Sequence, residues 1–201
     1  MRDPHVKPEK TIRLDPRSPF VLDTQELGRR PGSMLRIRRT ALATDDLGTD
    51  VIAVPKGSEL DLDLRLESVV EGVLVSGVVS ATATGQCVRC LDDLQREVEV
   101  DVQQLYVYPG QVPADADDEE TDELVGDLID VEPMVRDAVV LALPFQPVCR
   151  EDCPGLCSEC GVHLADDPEH RHDQVDPRWA ALQSLTVDPT RSDEPDEKEE
   201  N

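Results

Sequence analysis

Residues 59–67, ELDLDLRLE, carry the cleanest alternation in the chain: Leu60, Leu62, Leu64 and Leu66 fall between Asp61, Asp63, Arg65 and Glu67. A period of two places all four leucines on one face of a strand. Leucine is a poor strand former, so the pattern rather than the propensity carries this reading. Glu71-Gly72 marks a turn, and residues 73–84, VLVSGVVSATAT, follow as a second strand rich in β-branched side chains. Residues 96–108 make a third, where Val98, Val100 and Val102 alternate with Glu97, Glu99 and Asp101. An earlier strand is expected over MLRIRR, residues 34–39. Consecutive strands with short connections predict an antiparallel meander.

Helical signals are fewer. Asp23 or Thr24 is placed to cap a short helix running to Arg30 and stopped by Pro31-Gly32. Leu128-Ile129 reads as a brief strand. A helix is then expected from near Asp130, with Pro133 in its first turn and Met134, Ala138, Val139, Leu141 and Ala142 as its apolar face. Pro144 and Pro147 stop it. DPRWAALQSL, residues 176–185, is a second helical candidate: Asp176 caps, and Trp179, Leu182 and Leu185 share a face. A helix this short must dock on something, and docking on its own domain is preferred over docking on a partner.

The fold class these signals predict is α+β: an antiparallel β-sheet with a packing helix, and a Cys-rich lobe at residues 148–175. Proline and charge make residues 1–18 an extended lead-in. The body of the domain spans residues 19–187. Residues 113–127, PADADDEETDELVGD, hold eight acids and no base, too charged to pack, and read as a mobile loop. Residues 188–201 read as a disordered acidic tail.

Charge narrows the function. The net charge of −24 disfavours a general binder of nucleic-acid phosphates. Arg29, Arg30, Arg36, Arg38 and Arg39 are the one local concentration of base, with no acid among them. They are either a solvated basic face or a contact for RNA phosphates or an acidic partner. Only five residues are aromatic, so the core must be aliphatic and no base-stacking platform is expected. MRDPHVKPEK contains no apolar run, and no stretch approaches the roughly 18 apolar residues of a membrane span. The cytoplasm is the expected compartment, with no membrane partner and no small-molecule substrate.

The candidate chemistry lies in the thiols. Cys149, Cys153, Cys157 and Cys160 fall within VCREDCPGLCSECG, and Cys87 and Cys90 within QCVRCL, between the second and third strands. In a reducing compartment such clustering points to a metal, and four thiolates suit tetrahedral Zn²⁺ with a structural role. Two groupings compete. Cys149, Cys153, Cys157 and Cys160 can form one compact site, with Gly155 and Gly161 permitting the turns. Alternatively Cys87 and Cys90 join Cys157 and Cys160 in a ribbon-like site. The compact grouping is preferred. His163, His170 and His172 are available as substitute ligands, although histidines in a polar loop are commonly just exposed. The bland alternative for all six is reduced, unmetallated thiol. Cys-Val-Arg-Cys also has the spacing of a dithiol switch, with Arg89 placed to lower a thiol pKa, but no βαβ pattern surrounds it. Nothing resembles a hydrolase elbow, a phosphate-cradling loop or a His-Glu-x2-His helix, and no catalytic residue is assigned. Apart from the two Cys-x2-Cys turns, the chain shows no internal repeat.

QCVRCL after a strand, then GDLIDVEPMVRDAVVLALPFQPVCREDCPGLCSECG, then DPRWAAL, together resemble the YceD family, the large ribosomal RNA subunit accumulation proteins of bacteria and plastids. The resemblance covers roughly residues 30–187 and is most specific from Asp130 to Gly161. It implies a non-enzymatic role in accumulating 23S rRNA and assembling the large ribosomal subunit. The implied partners are the large-subunit precursor, a basic ribosomal protein and/or rRNA. In many bacteria the family's gene lies beside that of a small basic large-subunit protein. Some relatives lack several of the cysteines, which implies that zinc here is structural. A zinc-thiol redox-sensing chaperone is the alternative, and an RNA-processing enzyme a third reading.

Overall fold

The computed structural model describes residues 13–111, 122–172 and 178. The period-two leucines form β5 (Glu59–Ser68), with Leu60, Leu62, Leu64 and Leu66 all buried. β5 pairs antiparallel with β2 (Met34–Leu42) on one side and β6 (Gly72–Gln86) on the other. β7 (Asp93–Val107) runs back along the whole of β6, from Gly72 opposite Val107 to Gln86 opposite Asp93. β7 fills that edge of β6. The short strands β3 (Leu47–Gly48) and β4 (Ile52–Val54) therefore extend the β5 edge, where Ile52 faces Gly85. The expected meander is present, and its two longest strands end in the turn that carries Cys87 and Cys90.

One face of this curled sheet is the core. Val75, Val79 and Ala83 of β6 and Val98 and Val102 of β7 join the β5 leucines there. Each buried leucine contributes roughly 2 kcal/mol. The cover is a second layer. β1 (Val21–Asp23) pairs with β9 (Leu128–Asp130), bringing Phe20, Leu22 and Ile129 over the sheet. α1 (Glu132–Ala142) follows, and its Val135 and Val139 are buried against the core. Asp130 Oδ1 accepts the Glu132 N–H, and Pro133 stands in the first turn. The apolar face differs from expectation at both ends: Val135, outside the expected face, is buried, while Leu141, 84% exposed, and Ala142 face away, because α1 meets the sheet through Val135 and Val139.

No helix forms at residues 23–30. Asp23 lies in β1 and Thr24 opens a single turn, with the Leu27 and Gly28 N–H groups both donating to the Thr24 carbonyl. Gly28, at φ +65°, ends that turn, while the Thr24 hydroxyl and N–H both reach the Asp127 carbonyl. Tertiary pairing of β1 with β9 overrode a local capping signal.

The acidic run is ordered at its end. β8 (Asp122–Glu123) pairs parallel with β7, and Leu124 is buried. Residues 113–121, the expected helix at 176–185 apart from Arg178, and the two terminal segments apart from residues 13–18 lie outside the described residues. No helix among the described residues is long and apolar enough to cross a membrane.

Candidate metal centre

Two turns present the Cys-x2-Cys pairs, and their backbones match. In each, the first cysteine's N–H donates to the carbonyl five residues on: Cys87 to Asp92 and Cys157 to Val162, both at 2.8 Å. In each, that cysteine's carbonyl accepts from the residue four on: Leu91 at 2.8 Å and Gly161 at 2.9 Å. That residue has positive φ in both, +63° at Leu91 and +73° at Gly161. Such a turn aims both sulfurs to one side.

The first turn meets the chain that leaves α1. Val88 N–H donates to the Pro147 carbonyl and Leu156 N–H to the Arg89 carbonyl. The Arg89 guanidinium donates to the carbonyls of Glu151 and Cys153, at 3.1 and 3.0 Å. Gly155, at φ +79°, is required where the chain crosses: a Cβ there would stand 2.9 Å from the Arg89 carbonyl oxygen. These bonds bring Cys149 and Cys153 onto Cys87 and Cys90. Sγ of Cys87 lies 3.8 Å from that of Cys153, and Sγ of Cys90 lies 3.7 Å from that of Cys149. A tetrahedron with sulfurs about 2.3 Å from its centre has edges of about 3.8 Å. Cys87, Cys90 and Cys153 are buried and Cys149 is exposed.

The thiols' ionisation fits a cation. Burial pushes the Cys87 thiol up, but the N–H groups of Cys90, Cys149 and Arg89 outweigh it and draw it down to about 6. Cys90 is pulled down by the Asp92 N–H, yet raised overall by burial, the Asp92 side chain and its neighbouring thiols. Cys149 is raised, first by the Cys153 thiol and then by burial. The Cys87 thiolate is favoured, while Cys90 and Cys149 resist following it. A central ion relieves that repulsion.

The second turn finds different partners. Cys160 Sγ lies 3.2 Å from Nε2 of His170 and 3.3 Å from Nε2 of His172, and the two Nε2 atoms are 2.8 Å apart. Cys157 completes this group, all of whose donor atoms lie within 4.8 Å of one another. The N–H groups of Cys160 and Glu159 are the main cause that draws the Cys157 thiol down, to about 6. Both groups could hold a metal ion.

The six thiols are thus divided differently from either expected grouping. Cys149 and Cys153 lie with Cys87 and Cys90, while Cys157 and Cys160 lie with His170 and His172. His163 belongs to neither group; its Nδ1 lies 3.9 Å from Asp92. The signal that identifies the second group was present in the chain: a His-x-His pair ten residues after Cys160.

The arginines are dispersed as well. Arg36 and Arg38 share the sheet's outer face and both bind Asp63 of β5, at 2.7 to 3.0 Å. Hydrogen bonds from Arg36, with burial opposing and Arg38 adding, hold the Asp63 carboxyl down at about 2. Arg39 points to the other face and donates to the Pro19 carbonyl. Arg29 stacks 4.8 Å over the Tyr108 ring and lies 3.8 Å from Asp127. Arg30 contributes its carbonyl to a turn at Ser33.

Sheet and lobe together define a β-rich protein whose Cys-rich C-terminal segment, able to hold metal, is fastened to a hairpin turn. The chain belongs to the YceD family: residues 75–186 match the family described as large ribosomal RNA subunit accumulation protein YceD. It is 49% identical over 166 residues to the uncharacterized protein Rv2926c of Mycobacterium tuberculosis, covering 82% of this chain and 80% of that one. The uncharacterized protein ML1660 of Mycobacterium leprae is 41% identical over 84% of this chain and 78% of its own. YlbN of Bacillus subtilis, also uncharacterized, is 30% identical over 49% of this chain and 58% of its own. No solved structure matches.

Proposed function

We propose that this chain is a non-enzymatic ribosome-biogenesis factor of the cytoplasm that supports accumulation of 23S rRNA and assembly of the large ribosomal subunit. The observation that carries this reading is family membership over residues 75–186. A zinc ion held by Cys87, Cys90, Cys149 and Cys153 acts structurally. Four thiolates close its coordination shell and leave no position for a reactive water.

The direct partner is a basic ribosomal protein, held until rRNA competes for it. Glu97, Glu99 and Asp101 stand exposed along the outer side of β7, whose C-terminal end pairs with Asp122 and Glu123. Arg36 and Arg38 contact precursor RNA from the outer face of β2, whereas Arg39 on the opposite face and Arg29 over Tyr108 lie apart from them. Because Asp63 already neutralises part of the Arg36 and Arg38 charge, the RNA contact is the weaker of the two. The redox-sensing chaperone alternative has no comparable support.

The test is a sucrose gradient of lysate from cells depleted of the protein. Loss of large subunits with accumulation of precursor particles is expected, and a normal profile overturns the assembly role. Capture of basic ribosomal proteins by the purified chain should weaken steeply with salt. Salt-insensitive capture overturns the charge-holding mechanism.

A further inference from the structure

We infer that the chain carries a second, separate zinc site at Cys157, Cys160, His170 and His172, and that its ion exchanges far faster than the one at the buried four-thiol site. The inference goes beyond the assembly role and rests on the zinc reading only for the choice of ion.

Three observations carry it. The first is the turn. Residues 157–162 repeat the backbone of residues 87–92, hydrogen bond for hydrogen bond, and so present two sulfurs in the same way. The second is the orientation of the rings. Both histidines turn Nε2 towards Cys160, and both turn Nδ1 towards a carboxylate: His170 to Asp167 at 3.7 Å and His172 to Glu159 at 3.4 Å. Metal-bound imidazoles are held this way, with the outer nitrogen facing a carboxylate that fixes the tautomer and raises ligand basicity. The third is spacing. For a mixed zinc tetrahedron the sulfur–nitrogen edge is about 3.5 Å, against 3.2 and 3.3 Å here. The Nε2 atoms, 2.8 Å apart, would spread by about 0.5 Å to reach theirs.

The two sites differ in what surrounds them. At the first, three of four sulfurs are buried and the lobe is fastened down through Arg89. At the second, Cys160 and His172 are exposed, and the ligands come from one segment of sixteen residues. A chelator can reach the second ion without the lobe leaving the sheet. Two thiolates and two neutral imidazoles also make this site neutral once Zn²⁺ is bound, whereas four thiolates leave a net negative site. Neither arrangement leaves an open coordination position, so the second site is a local clamp on the lobe and not a catalytic centre.

The test uses the full-length protein loaded with Zn²⁺. Native mass spectrometry should give two zinc ions per chain, and a chromogenic chelator should remove one equivalent at least about ten-fold faster than the other. His170→Ala with His172→Ala should leave one ion per chain and abolish the fast phase, with the far-ultraviolet dichroism of the sheet unchanged. Glu159→Gln with Asp167→Asn keeps all four ligands and should weaken the second site's zinc affinity about 10-fold. With Co²⁺ in place of zinc, the double histidine variant should lose the mixed sulfur–nitrogen spectrum and keep the four-thiolate one. One ion per chain in the wild type, or a fast phase that survives loss of both histidines, overturns the second site. A chain that binds no zinc overturns the structural-zinc reading too, and neither result bears on the gradient profile.

Discussion

The two Cys-x2-Cys turns share a backbone and differ in how they are completed. The turn at Cys87 and Cys90 draws its other two sulfurs from residues 59 and 66 positions away. The turn at Cys157 and Cys160 finds its partners 10 and 12 residues on. The first group therefore ties the β6–β7 hairpin to the chain beyond α1 and closes a long loop. The second gathers only its own segment. The same local turn makes a cross-link in one place and a clamp in the other, because tertiary placement decides which donors come near.

The largest effect should come from breaking the cross-link. Cys87→Ser should remove the zinc of the first group and cost about 4 kcal/mol or more in urea unfolding with zinc present, as loss of a structural metal does. Cys160→Ser, at an exposed position, should shift the global midpoint by less than about 1 kcal/mol. Equal losses from the two variants would erase the distinction between them.

Next comes the crossing point. Gly155→Ala places a Cβ 2.9 Å from the Arg89 carbonyl oxygen at a φ of +79°. The expected loss is about 1–3 kcal/mol. It should be accompanied by faster hydrogen exchange at Leu156, whose N–H binds Arg89. An unchanged exchange rate would mean that the lobe's contact with the hairpin contributes little.

Swapping the fifth residue of each turn sharpens the comparison further. Gly161→Leu should destabilise the second turn by about 1 kcal/mol, since a side chain is forced into positive φ. Leu91→Gly relieves that strain in the first turn, and Leu91 is 59% exposed, so little packing is lost. Thermal unfolding should show it neutral or stabilised by less than about 1 kcal/mol.

The smallest effect lies away from both turns. Asp63 titrates at about 2, below its ordinary 3.8, because Arg36 and then Arg38 hydrogen-bond it. Its folded pKa is depressed. The contribution to stability is thus complete above the ordinary value and lost as pH falls through about 2. Carboxyl NMR should find that midpoint in the wild type and a rise towards 3.8 in Arg36→Gln, with or without zinc. A midpoint that stays near 2 in the variant would mean that Arg36 is not the cause.

The sequence by itself determined the long strands of the meander, but not the short β1, β3, β4 and β8. Leu60 to Leu66 alternate strictly, and the β-branched run after Gly72 continues the pattern, so the meander was readable from neighbours alone. The two cysteine turns were also local, as was membership of the family, which rests on contiguous blocks such as residues 130–161. What the chain did not disclose was long-range. The capping signal at Asp23 and Thr24 gave way to pairing of β1 with β9, whose partner strand lies about a hundred residues on. The cluster of five arginines has no acid in its own segment, yet β5 lays Asp63 between two of them.

The thiols show the division most sharply. Spacing alone favoured four consecutive cysteines as one site. Only the fold, by running β6 and β7 out to a shared turn and passing the chain after α1 across it, assigned Cys149 and Cys153 to Cys87 and Cys90. The physical reason is that a turn is fixed by backbone bonds within six residues. A ligand set is chosen by which donors the packed sheet, helix and lobe bring within a few ångströms.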